Sequence, residues 1–217
     1  MVRVPASLDP TKTALVLFDM LNDFVYGVNE ARARHIAESG MVDRCVEIRE
    51  AARAHGVRVL YSNSLHKRDG SDYGRTLVDA DTELQPWPDG PHLMKIPPGI
   101  EGTPGAEIIP ELQPAESDYV VVKHRWSAFA GTPLDILLRG MGIDTILLAG
   151  GSTDIGILAT TYAARDLGYN LVILRDACQT HRLDAQVFCM ERLFPRMARV
   201  MTVREATALL GASGGAA

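Results

Sequence analysis

Thr145-Ile146-Leu147-Leu148-Ala149-Gly150-Gly151-Ser152-Thr153-Asp154-Ile155-Gly156 reads as a buried strand that turns at once into a helix. The run 145–149 does not alternate polar with apolar residues, as a strand covered on both faces need not. Two glycines permit a tight turn, and Thr153 or Asp154 can cap the helix that follows. The free N–H groups at its start can hold an oxyanion. Glycines here can also mean no more than close helix–strand packing. Neither GxGxxG nor GxxxxGK[ST] occurs, so this is not a nucleotide loop.

Apolar runs of the same kind stand at 14–18, 57–61, 119–122, 171–174 and 199–203. Between them helices are predicted over 31–55, 133–141, 155–167, 183–194 and 204–210, with Gly56, Gly142 and Gly168 just past three of them as C-terminal caps. This alternation predicts an α/β fold, a parallel sheet with helices on both sides. At 217 residues the chain, 1–217, is read as a single domain. One stretch breaks the rhythm. Residues 62–118 hold eight of the twelve prolines and the turns Asp69-Gly70, Asp89-Gly90 and Pro97-Pro98. So long a connection is read as a lid or wall over the C-terminal edge of the sheet, where open α/β folds bind ligands. A surface excursion covering a sheet edge or a dimer interface is the alternative.

A net charge of −5 and a pI near 5.7 give no reason to expect nucleic acid. No apolar stretch approaches the roughly 20 residues of a membrane span. Residues 1–13 contain no apolar signal core, which points to a cytoplasmic protein. The three cysteines, Cys45, Cys178 and Cys189, form no CxxC pair. They exclude a disulfide framework and a zinc module and suit a reducing compartment. Cys45 and Cys189 fall in helical patterns and read as small buried hydrophobes.

Three strand ends carry chemistry. Asp19 follows Leu15-Val16-Leu17-Phe18, where a carboxylate walled by apolar side chains can hold and transfer a proton. Taken alone, it reads rather as a cap on the next loop or helix. Asn22 could orient it and Phe24 could line a pocket. Lys123 ends Tyr119-Val120-Val121-Val122 and could simply reach solvent. The sequel, His124-Arg125-Trp126-Ser127-Ala128-Phe129, packs cations and aromatics at one strand end, a surface for an anionic or planar small molecule. Trp126 and Trp87 could serve a pocket or an interface. The third strand ends in the glycine turn with which the reading began.

Four ordered motifs resemble the isochorismatase-like (cysteine) hydrolase superfamily over residues 13–208. They are Leu17-Phe18-Asp19-Met20-Leu21-Asn22-Asp23-Phe24; Gly102-Thr103-Pro104-Gly105-Ala106-Glu107-Ile108; Val122 to Phe129 with Thr132-Pro133-Leu134; and Gly150 to Thr161 with Ala164-Arg165-Asp166. The resemblance implies a six-stranded parallel sheet in a three-layer αβα fold, an Asp–Lys–Cys triad, and a cis peptide at Gly151-Ser152. It also implies a homodimer or homotetramer. Asp19 and Lys123 match two triad members, but Gly156 stands where the cysteine falls, and Leu21 replaces the usual Gln before Asn22. A glycine cannot form a thioester. The isochorismatases proper also lack the cysteine and cleave a vinyl ether by acid catalysis.

The sequence therefore predicts a hydrolase of a small molecule, vinyl ether or C–N bond, in which Asp19 and Lys123 act by acid–base catalysis and no cofactor takes part. Room left by the thiol at Gly156 would admit water or a bulkier group. Gly151, Ser152 and Ile155 would present backbone to the substrate, with Asn22, Phe24, His66, Arg125, Trp126 and Phe129 around it. Two alternatives stand: an amidohydrolase that recruits Cys178, and an inactive small-molecule-binding homologue. No metal is expected, because Ser64 breaks the Asp-x-His pattern before His66. His66 is read as a loop histidine that touches substrate or solvent.

Overall fold

The structure, a computed structural model, describes residues 7–27, 30–72 and 99–212. Six strands form one sheet: β1 (Thr13–Phe18), β2 (Arg58–Ser64), β3 (Tyr119–Lys123), β4 (Thr145–Gly151), β5 (Asn170–Gln179) and β6 (Arg199–Met201). Their order is β3-β2-β1-β4-β5-β6 and every pairing is parallel. The chain thus winds outward from β1 in one direction and from β4 in the other. β1 and β4 flank the point where the winding reverses, with Phe18 opposite Gly150. Loops leaving two neighbouring strands in opposite directions open a crevice there.

Every residue of β1 is buried, and alternation sends its side chains to two cores. Leu15 and Leu17 pack with Ile36 of α1 (Glu30–Ser39), with Met41, Cys45 and Ile48 of α2 (Met41–Ala54), and with α6 (Val203–Gly211). Ala14, Val16 and Phe18 pack with α3 (Leu134–Gly140) and α4 (Leu158–Asp166) on the other face. Burying such a Leu or Val side chain contributes about 1.5–3 kcal/mol, so this central strand anchors both layers. The α/β reading and the six parallel strands hold. Among the described residues no helix is long and apolar enough to cross a membrane.

Four expectations change. The helix predicted over 31–55 is two, because Gly40 takes a left-handed φ of 67° and the Ser39 hydroxyl bridges the break, donating to Ile36 O and accepting from Met41 N. The helix predicted over 183–194 is α5 (Leu183–Phe188) followed by a wider π-turn, Cys189–Leu193, and a 3-10 turn. β3 is an edge strand rather than one covered on both faces: Tyr119, Val120 and Val122 are exposed, and only Val121 and Lys123 are buried. The connection starts three residues late, since Ser62, Asn63 and Ser64 complete β2. Of its described residues, 99–112 lie against the loop after β1 through Ile109 N to Met20 O (3.0 Å), Asn22 N to Glu107 O (2.9 Å) and Gly99 N to Asp23 Oδ2 (2.9 Å). Trp87 and the turns Asp89-Gly90 and Pro97-Pro98 lie outside the described residues.

Candidate active site

The C-terminal ends of three adjacent strands converge. Asp19 leaves β1 with a φ of 50°, a conformation that non-glycine residues seldom adopt and that turns its carboxylate across the sheet edge. Its N–H still donates to Ser62 O of β2 (3.0 Å), so the turn is held by the neighbouring strand. Ser64 ends β2 and Lys123 ends β3, paired in register. Lys123 Nζ donates to Asp19 Oδ2 at 2.9 Å and also to Ser64 Oγ. Ser64 in turn gives its N–H to Asp19 Oδ1 (2.7 Å) and its hydroxyl to Asp19 Oδ2 (3.3 Å). Asp19 is 6% exposed and Lys123 2%, so this ion pair is desolvated. The ammonium also stands over the Phe18 ring, 4.3 Å from its centroid.

The turn after β4 contributes backbone and little else. The Gly151–Ser152 peptide is cis. Neither Thr153 nor Asp154 caps the following helix: Asp154 Oδ1 accepts from Ser152 Oγ (2.6 Å), and the Thr153 hydroxyl is buried with no hydrogen-bond partner among the described residues. The Ile155 N–H donates to Ser152 O at 3.3 Å, so it is engaged within the turn rather than held out for an oxyanion. Gly156 is buried against β1, and the room expected there for water does not exist: a Cβ on Gly156 would fall 2.2 Å from Phe18 Cε1. The phenyl ring has taken the space.

Beside Asp19 lies a small cavity of about 10 Å³, room for about one water molecule. Phe24, Gly151, Val25, Ile36 and Met41 line it, with Gln179, Thr180 and His181 at the end of β5. The sequence reading missed this β5 end. Its signal was the polar Gln179-Thr180-His181 that closes an apolar strand on the far side of the crevice. The ring Nε2 of His35, on α1, lies 3.1 Å from Thr180 O and 3.3 Å from Gln179 Oε1. With a carbonyl as partner, that nitrogen carries the hydrogen. Ser64, the direct link between Lys123 and Asp19, was also missed, having been read only as the residue that breaks a metal motif.

The remaining predicted residues are placed elsewhere. Asn22 does not orient Asp19; its side-chain amide donates to Pro104 O at 2.8 Å. Arg125 donates to the carbonyls of Asp72 (3.1 Å) and His124 (2.7 Å), Trp126 is 60% exposed, and Phe129 stacks on Tyr169 at 5.7 Å. None of the three lines the cavity at Asp19. Cys178 cannot act as a relocated nucleophile as it stands. It is buried inside β5, its thiol donates to Leu148 O (3.5 Å), and burial pushes its pKa well above the ordinary thiol range.

His66 is buried rather than facing solvent, and it gathers with Asp72 and His124, each offering a ligand atom within 4.8 Å of the others. Burial above all holds the His66 imidazole below its usual range, against the pull of Asp72. Two imidazoles and a carboxylate are a donor set for a divalent transition metal. The Asp72 carboxylate, however, accepts from Lys67 N (3.0 and 3.2 Å) and His124 Nδ1 lies 2.8 Å from Leu65 O, so both groups already have protein partners.

A buried Asp–Lys ion pair thus stands at the switch point of a six-stranded parallel sheet, where open α/β folds bind ligands. The Isochorismatase domain matches residues 13–205. The chain belongs to the isochorismatase family and is a hydrolase. It is 39% identical over 198 residues to the isochorismatase family protein YecD of Escherichia coli O157:H7, covering 91% of this chain and 96% of that one. It is 31% identical over 213 residues to the ureidoacrylate amidohydrolase RutB of Rhizobium rhizogenes, covering 90% and 83%. Among solved structures, an isochorismatase family protein from Burkholderia thailandensis superposes with a TM-score of 0.75 at 30% identity, covering 94% of this chain and 98% of that one.

Proposed function

We propose that this hydrolase cleaves a vinyl ether or a C–N bond of a small molecule through Asp19 and Lys123, with no covalent cysteine intermediate. The observation that carries the reading is the desolvated Asp19–Lys123 pair beside a glycine whose would-be side-chain space is filled. At rest the pair is carboxylate and ammonium. When substrate displaces water beside Asp19, a proton passes from Lys123 Nζ to Asp19 Oδ2 along their 2.9 Å hydrogen bond. Asp19 then delivers it to a vinyl carbon or a leaving nitrogen. Water adds to the resulting cation or carbonyl and returns a proton to the pair; the adduct then collapses, its C–O or C–N bond breaking to release the alcohol or amine, and the enzyme ends as it began. The three N–H bonds of Lys123 already face Asp19, Ser64 and the Phe18 ring, which suits a proton reserve better than an oxyanion holder.

Likeness to an amidohydrolase of ureidoacrylate gives C–N substrates a place in the test beside enol ethers. The described part of the 62–118 segment fits a wall of the site, since 99–112 is bonded to the loop that carries Asp19. The experiment is a substrate screen of enol ethers, amides and ureides with the wild type and Asp19→Asn. Turnover by the wild type that survives iodoacetamide and disappears in the variant, with circular dichroism unchanged, is expected. Undiminished turnover by the variant would overturn the proposal. Binding without turnover would replace it with a ligand-binding homologue.

A further inference from the structure

We propose that Phe18 sets the reaction class of this site: its ring occupies the room of any side chain at position 156 and forms the seat of the Lys123 ammonium, which makes it the positioning residue for Lys123. This rests on the Asp19–Lys123 reading above. The ring is a wedge between two catalytic positions. At its edge, a Cβ on Gly156 would meet Cε1 at 2.2 Å and Cζ at 2.6 Å, closer than carbon atoms approach one another, and Cδ1 at a tight 3.2 Å. On its face stands Lys123 Nζ, 4.3 Å from the centroid.

Neither side of the wedge can yield alone. Phe18 is fully buried in the core against α3 and α4. Its backbone is held in register between β2 and β4, and it cannot shift toward β4, because Gly150 is packed so closely that a Cβ there would lie 2.2 Å from Phe18 O. Phe18 and Gly156 are therefore a matched pair. With the ring present, position 156 has no room for a thiol, and the third N–H of Lys123 is turned to the ring instead of toward a thiolate. The hydrogen bonds to Asp19 and Ser64 remain, and the lysine serves the carboxylate. A smaller apolar residue at position 18 would reopen position 156 and release the lysine from its seat.

Two measurements that need no substrate test this. The chain has four lysines, Lys12, Lys67, Lys95 and Lys123, so a 13C-lysine spectrum is simple, and Lys123→Met assigns the signal of interest. In the wild type the Lys123 ε-methylene protons should lie upfield of the other three through the ring current of Phe18. In Phe18→Leu, which keeps apolar bulk, they should move to the range of the others. A purely structural role would alter melting without moving this resonance. Separately, Gly156→Ala should lower the melting temperature, and Phe18→Val/Gly156→Ala should melt above the point set by adding the two single losses. If Gly156→Ala does not fold, a folded double variant gives the same answer. An unshifted Lys123 signal in the wild type, additive losses, or failure of both alanine variants to fold would overturn the proposal. Retained turnover in Asp19→Asn would instead remove the catalytic reading and leave these results standing.

Discussion

Lys123→Met puts the desolvation of the pair to a quantitative test. The substitution keeps the length of the side chain and removes the charge. Asp19, 6% exposed, would lose the ammonium at Oδ2 and keep only the N–H and hydroxyl of Ser64. Removing one partner of a buried pair typically costs about 3–5 kcal/mol, because the other charge stays behind uncompensated. For a chain of 217 residues, at about 2–4 °C per kcal/mol, that is a fall in melting temperature of roughly 6–20 °C. Asp19→Asn should cost a similar amount, leaving an ammonium 2% exposed against a hydroxyl and a ring. Asp19→Asn/Lys123→Met removes both charges, so its loss should fall short of the sum of the singles by about 1–3 kcal/mol. Urea titrations followed by circular dichroism, run on all four proteins, measure the cycle. Single losses below about 1 kcal/mol, the range of exposed pairs, or strict additivity would show that the pair is not desolvated as argued.

Ser64→Ala should destabilise by about 1.5–3 kcal/mol in the same titration, since it deletes a buried hydroxyl bonded to two charged groups while leaving the backbone donor to Asp19; no change would mean the hydroxyl is dispensable. Native protein held at pH 8 with iodoacetamide should remain unlabelled at Cys45, Cys178 and Cys189 by mass spectrometry. All three are buried, and burial lifts the Cys45 thiol to about 12 and that of Cys189 to about 11. Labelling of Cys178 before unfolding would revive a thiol mechanism. Thr202→Ala should cost α6 about 1 kcal/mol by removing the side-chain acceptor of Glu205 N. The donors from Thr202, its N–H first, hold the Glu205 carboxyl below its usual range. Its contribution is therefore present above about pH 4.3 and is lost as pH falls through the depressed value, so Glu205→Gln should flatten the acid limb of a melting-temperature profile.

The fold and the site were legible to different depths. Unbroken apolar runs such as Leu15-Val16-Leu17-Phe18 and Ile146-Leu147-Leu148-Ala149 announced strands covered on both faces, and strand ends marked Asp19 and Lys123 as neighbours of a crevice. The break at Gly40 was harder, because a helical pattern continues on both sides of a single left-handed residue. β3 misled for a related reason: Val120 and Val122 are as apolar as core residues, and only strand order reveals that β3 is an edge. Arg125, Trp126 and Phe129 followed the lysine in sequence, yet a loop that turns beyond a strand end sends consecutive side chains to different places.

By itself the sequence determined the layers, the carboxylate and the ammonium at two strand ends and the glycine after a third, since each is a matter of residue type at the end of a periodic run. Tertiary structure alone decided what fills the space beside that glycine. Phe18 and Gly156 are 138 positions apart, and nothing in their local sequence ties one to the other. Parallel pairing of β1 with β4 brings Phe18 level with Gly150, and the turn that follows lays Gly156 on the phenyl ring. Close packing leaves room there for one side chain, and this chain places it on β1.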